Sequence, residues 1–193
     1  MGSWYGELLA RIDGLFAGRE RVLVAIDGNS GAGKSSLAGM LGVVYDCNVF
    51  HMDDFFLQPF QRTRERLGQP GGNVDHERFL AEVLGGLETG KPFRYRIFDC
   101  RTMAFGGEVL VRPKALNIVE GCYSMHPALG QPYDLKVFLQ VPKDVQMERI
   151  LARSGPVLGR RFREEWIPME DAYFRAMDIP AGCDLVIDGT ERN

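Results

Sequence analysis

The chain has 193 residues, 45% hydrophobic and 25% charged, with a formal net charge of −3. That length suits one domain with a sizeable core, and so small a charge gives no general pull toward nucleic acid or an anionic membrane. No apolar run approaches membrane-spanning length and no signal peptide is evident; Cys47, Cys100, Cys122 and Cys183, without a C-x-x-C pair, suit free thiols in a reducing cytosol. A cytoplasmic location is expected.

The first residues repeat Trp4, Leu8, Ile12 and Phe16 at helical spacing, which predicts an amphipathic helix over about 1–18. Arg21 to Ile26 is apolar and β-branched and reads as a buried strand. Gly28-Asn29-Ser30-Gly31-Ala32-Gly33-Lys34-Ser35 follows, and Lys34 to Leu41 has helical spacing. Strand, glycine loop and helix are the context in which G-x-x-x-x-G-K-[ST] binds phosphate. Successive loop N–H groups form a nest for an anion, and the helix adds its positive end. Gly28, Gly31 and Gly33 allow close approach or φ > 0. Lys34 can reach β- and γ-phosphates, the Ser35 hydroxyl can ligate Mg²⁺, and Ser36 completes the expected nucleotide contacts.

Cys47 to Met52 is a second predicted strand, ending at Asp53-Asp54, and an arginine-rich loop runs from Gln58 to Asn73. Asp75 heads a predicted helix to about Leu87. Phe93–Phe98 and Glu108–Val111, separated by Gly106-Gly107, read as a hairpin. Further strands are predicted at 115–119, 135–139 and 184–187, with a helix over 143–153. Strands alternating with helices imply a three-layer α/β fold with a mainly parallel sheet. Asp53 and Glu120 then share the ligand-binding edge with the phosphate loop. The hairpin, about 93–111, and a helical lid, about 154–164, are expected as excursions from one domain spanning 1–193.

No N-K-x-D guanine reader and no L-S-G-G-Q transporter signature is present, and the chain is short for a motor or helicase. His51-Met52-Asp53-Asp54-Phe55-Phe56 resembles the strand-end motif of the uridine kinase-like P-loop kinases, which include nicotinamide riboside kinases. Asn73-Val74-Asp75-His76, Arg96-Ile97-Phe98-Asp99 and Ile118-Val119-Glu120-Gly121-Cys122-Tyr123 resemble the family's N-F-D-H, P-V-Y-D and V-x-E-G-x-Y segments in the same order, and Arg149 and Arg153 fall on the helix leading to its lid. The resemblance spans roughly 21–188. It implies an ATP- and Mg²⁺-dependent kinase acting on a hydroxyl of a nucleoside-like or other small metabolite. Asp53 is then the base, Glu120 a magnesium ligand, and Arg149 or Arg153 the neutraliser of transferring charge. Phe56, Asp75 and Phe98, with Asp53 and Arg149, are expected on the acceptor. Asp75 serves equally as the N-cap of its helix, and Glu120 as a buried acid paired with Lys34 or an arginine. His51 and His76 receive no role.

The pattern departs where the family's hairpin carries a tyrosine, a second aromatic and a base-reading histidine. Here stand Phe98, Cys100 and Met103, which leaves no polar readers for a pyrimidine. Arg62, Arg64, Arg66, Arg94, Arg96 and Arg101 suggest an acceptor more anionic than a nucleoside, against a solvated surface balanced by glutamates. An NTP hydrolase and a non-catalytic ATP-binding regulator are the competing functions. The expected partner is a small-molecule acceptor, without nucleic acid or membrane, and nothing points to a homo-oligomer.

Overall fold

The computed structural model describes residues 3–130 and 132–190. Its strands are β1 (Val22–Gly28), β2 (Cys47–His51), β3 (Phe93–Asp99), β4 (Ala104–Val111), β5 (Leu116–Glu120), β6 (Leu135–Gln140) and β7 (Leu185–Asp188). Five of them form a parallel sheet in the order β2-β5-β1-β6-β7, and β3 pairs with β4 as a separate antiparallel ribbon. The fold is α/β with a hairpin excursion, as the sequence predicts.

Every residue of β1 is buried because both sheet faces are covered. Val22, Val24 and Ile26 meet Leu8 and Ile12 of α1 (Ser3–Phe16) and Leu37 and Leu41 of α2 (Lys34–Val44). On the other face Leu23 and Ala25 join a cluster with Phe79, Val83, Tyr173 and Phe174. Leu8 and Ile12 are fully buried, each worth about 1.5–3 kcal/mol, so the α1 spacing is that of a packed helix face.

Between β2 and β3 lie α3 (Arg64–Leu67), capped by Thr63, and a helical rod begun by α4 (His76–Phe79). The rod passes through a π turn, Leu80–Leu84, into α5 (Gly85–Glu88).

Two boundaries depart from the sequence reading. Gly106 and Gly107 lie inside β4, with Gly107 opposite Ile97, rather than at the turn. The reversal falls at 100–103, where the Asp99 carboxylate accepts from the Arg101 amide at 2.8 Å and Met103 has φ 54°. An aspartate folding back on the backbone two residues on supplies the turn, a weaker signal than Gly-Gly. The helix predicted to stop at Arg153 continues as α6 (Lys143–Arg161), broken only at Gly155 with φ 73° and ψ 175°. A π turn, Phe162–Trp166, joins it to α7 (Ile167–Ala176), a helix the sequence reading lacks.

Candidate active site

Strand register brings the site together. His51 stands opposite Glu120, Glu120 opposite Ile26, and Gly28 opposite Leu139. The carboxyl ends of β1, β2, β5 and β6 therefore meet at one edge, beside the place where the chain leaves β1 toward different neighbours. A Cβ on Gly28 would lie 1.9 Å from the Leu139 carbonyl oxygen, so only glycine lets the loop leave the sheet there. Gly31 and Gly33 have φ 79° and 105°, which turn the backbone round the nest. No side chain caps α2, so its first amides and positive end are left for an anion.

Lys34 is buried and donates to the carbonyls of Gly28 at 2.7 Å and Asn29 at 2.9 Å. The loop's own oxygens hold its ammonium, not Glu120. The Ser35 hydroxyl donates to Glu120 Oε1 at 3.0 Å, and the same oxygen meets His51 Nδ1 at 2.5 Å. That contact holds the His51 pKa above its ordinary value against the opposing effect of burial. A hydroxyl and a carboxylate oxygen so placed suit Mg²⁺, which binds through one or two protein oxygens plus phosphates. No cluster of three or more His, Cys, Asp or Glu suited to a metal occurs among the described residues.

The two aspartates after β2 differ in setting. Asp53 lines the main cavity, whereas Asp54 does not. Tyr95 donates to the Asp54 carboxylate at 3.2 Å, and Arg78 donates to its carbonyl. Asp53 is exposed to solvent through the cavity it lines. Desolvation raises its pKa, with Lys34 opposing and Glu120 reinforcing. A carboxyl so shifted is a better proton acceptor at neutral pH.

The cavity, about 1450 Å³, exceeds the usual 300–1,000 Å³ or so of a single ligand pocket. Ser30 to Ser36, Glu120 and Arg149 line its loop side, and Phe56, Arg62, Asn73, Cys100, Met103 and Tyr123 line the other. Arg149 bridges the Gly31 carbonyl at 3.2 Å and the Gly189 carbonyl at 2.8 Å. Arg153 faces the cavity, acts electrostatically on Asp53 and lies over the Phe162 ring.

Asp75 and Phe98 do not line the cavity. The Asp75 carboxylate accepts from the Arg78 amide at 3.0 Å and caps α4; Phe98 is buried edge-on to Phe105. Four of the six loop and hairpin arginines are paired: Arg66 with Glu77, Arg94 with Glu108, Arg96 with Glu82 and Arg101 with Asp99. The Arg62 side chain makes no ion pair or hydrogen bond among the described residues; its amide donates to the Pro59 carbonyl. At the end of α6, Arg160 and Arg161 pair with Glu164 and Glu165 of the π turn.

Two buried acids have no signal in the sequence. Asp27, fully buried at the end of β1, accepts from the amides of Gly28, Tyr123 and Met125 and from the Tyr173 hydroxyl at 2.8 Å. Burial outweighs these donors and lifts its pKa to about 6. Glu170 of α7 accepts from the Ser30 amide at 3.0 Å and from the Ser30 hydroxyl. Its partner lies 140 residues away, so no local motif marks it.

A glycine loop feeding α2, a parallel sheet with this strand order and a hairpin at its edge define a P-loop kinase fold. No protein-family model matches the chain. It is 27% identical over 157 residues to the uridine kinase of Shewanella piezotolerans, covering 74% of this chain and 73% of that one. Against the uridine kinase of Geobacillus kaustophilus it is 28% identical over 160 residues, covering 75% and 72%. A solved structure of a possible uridine kinase from Bacillus stearothermophilus superposes with TM-score 0.65 at 21% identity, covering 94% of this chain and all (100%) of that one. D-glycerate 3-kinase from Cryptococcus neoformans gives TM-score 0.59 at 12% identity, covering 100% and 98%. The chain is a distant homologue of uridine kinases with the structure of a uridine kinase-like P-loop kinase.

Proposed function

We propose that the protein transfers the γ-phosphoryl group of ATP to a hydroxyl of a small metabolite. Homology to uridine kinases suggests a phosphotransferase and implies ATP use. The observation that carries the reading is one cavity lined both by the phosphate loop and by Asp53, with room for donor and acceptor together.

In this account the loop amides and Lys34 hold the β- and γ-phosphates, and Lys34 exchanges its two carbonyl partners for phosphate oxygens. Mg²⁺, held by Ser35 and Glu120, would neutralise phosphate charge when bound. Asp53 accepts the proton of the acceptor hydroxyl as it attacks the γ-phosphorus, while ADP leaves with the bridging oxygen. Arg153, facing Asp53, stabilises charge on the transferring group; Arg149, tied to two carbonyls, braces the loop edge beside the nucleotide. The segment 154–164 acts as the lid and 93–111 as the acceptor hairpin of a single domain.

Cys100 and Met103 provide no base-reading hydrogen bonds, which disfavours uridine and cytidine. The case for an anionic acceptor rests on Arg62, which lines the cavity, since Arg66, Arg94, Arg96 and Arg101 are each paired with an acid. The test is an ADP-release screen over nucleosides, nucleotides, vitamins, sugars and their phosphates, including matched neutral and acid-bearing alcohols. Turnover that depends on an acidic member supports the reading. Strong acceptor-independent turnover indicates a hydrolase, and nucleotide binding without turnover across the panel indicates a regulator.

A further inference from the structure

Glu170 is a buried acid, 4% exposed, for which the transfer chemistry has no use, yet it lines the cavity and grips the phosphate loop. Both donors of Ser30, amide and hydroxyl, end on its carboxylate. Lys34 from α2 and Lys143 from the first turn of α6 act on it favourably, and desolvation acts against its charge. Beyond β5, Cys122 feels Glu170 and Asp53 together. Glu170, bonded to Ser30, lines the same cavity as Asp53, the space a terminal phosphate must enter to reach Asp53. A negative group against a loop built for anions occupies part of the anion's own place. Since α7 continues from the lid through the π turn at 162–166, the same side chain ties lid to loop.

We propose that Glu170 is a positioning residue that stands in for the terminal phosphate and makes the loop discriminate triphosphate from diphosphate. Without nucleotide it holds Ser30 in the anion-binding conformation. With a triphosphate bound, its charge faces the γ-phosphate, weakening triphosphate affinity and passing occupancy to α7 and the lid. With a diphosphate bound that repulsion is smaller. The inference rests on the reading that this loop binds a nucleoside triphosphate.

The test is equilibrium binding of Mg²⁺ with the non-hydrolysable triphosphate AMPPNP, and of Mg²⁺ with ADP, to the full chain. Glu170→Gln keeps an oxygen for the Ser30 amide but removes the charge. It should bind AMPPNP about tenfold or more tightly than wild type, with ADP changed less than about threefold. Glu170→Asp, which keeps the charge, should retain the wild-type ratio of the two dissociation constants. That ratio does not depend on the fraction of sample folded, so a poorly folding variant still gives an answer. An unchanged ratio in Glu170→Gln, or equal weakening toward both nucleotides, would overturn the proposal and leave Glu170 a structural brace. If wild type binds neither nucleotide, the triphosphate reading itself fails and this inference falls with it.

Discussion

Asp27 shows what a buried carboxylate costs and what it organises. Its four donors come from the phosphate loop, the turn after β5 and α7, so one side chain fixes three segments around the site. Removing the Tyr173 hydroxyl should cost about 1.5–3 kcal/mol, the usual range for a hydrogen bond to a charged group. The pH dependence has a definite sign. The folded-state pKa of about 6 lies above the ordinary 3.8, so the proton is held more tightly in the folded protein. This contribution is fully present below about pH 4 and is lost as pH rises through 6, a change of about 3 kcal/mol. Tyr173→Phe should push that window to higher pH. Chemical denaturation of wild type and variant from pH 4 to 8 checks this, because the difference cancels titrations common to both. At this scale the placement of Asp53 and Glu120 on the cavity was legible, since one follows β2 and the other ends β5 beside recognisable neighbours. Asp27 and Glu170 were not, because their meaning lies in partners far away in sequence. His51 was visible but unassigned; only the pairing of β2 with β5 sets it against Glu120.

At the scale of elements, the phosphate loop and the sheet were readable because each rests on a local pattern. The charge balance was not. Six arginines looked like a basic patch until helix and strand geometry set four of them against acids. The continuity of 154–164 with α7 was missed because Gly155 and Pro156 mark a stop in sequence. The fold uses them as a joint instead. Gly155 has φ 73° and ψ 175°, a conformation close to glycine-only, yet a Cβ there would meet nothing within 4 Å. Gly155→Ala therefore carries backbone strain of about 1–3 kcal/mol without a clash. It should lower kcat several-fold by biasing the lid, while the affinity for ATP changes less. Steady-state kinetics beside nucleotide titration separate the two effects. Gly28→Ala, which would drive a Cβ to 1.9 Å from Leu139, should instead fail to yield folded protein, as solubility and circular dichroism would register.

For the whole molecule, one cavity takes its walls from the phosphate loop, three strand ends, the hairpin turn and the segment around Arg161 and Phe162. The phosphate-loop wall was legible because its motif is carried by contiguous residues. The facing wall is assembled from 56–73, the hairpin turn and the turn after β5, so its chemistry depends on which side chains reach the space. Asp75 and Phe98, expected there, are spent on a helix cap and a buried ring pair. Arg62 and Cys100 line it instead. In the proposed reaction Asp53 takes the proton of a hydroxyl attacking ATP held on the Gly28–Ser35 loop. Rapid-quench transfer from γ-labelled ATP to an acceptor found by the screen, for wild type and Asp53→Asn, tests it most directly. Asp53→Asn should bind ATP within about threefold of wild type and transfer about 10²–10⁴ more slowly; transfer by Asp53→Asn at the wild-type rate would contradict the role of Asp53 as base.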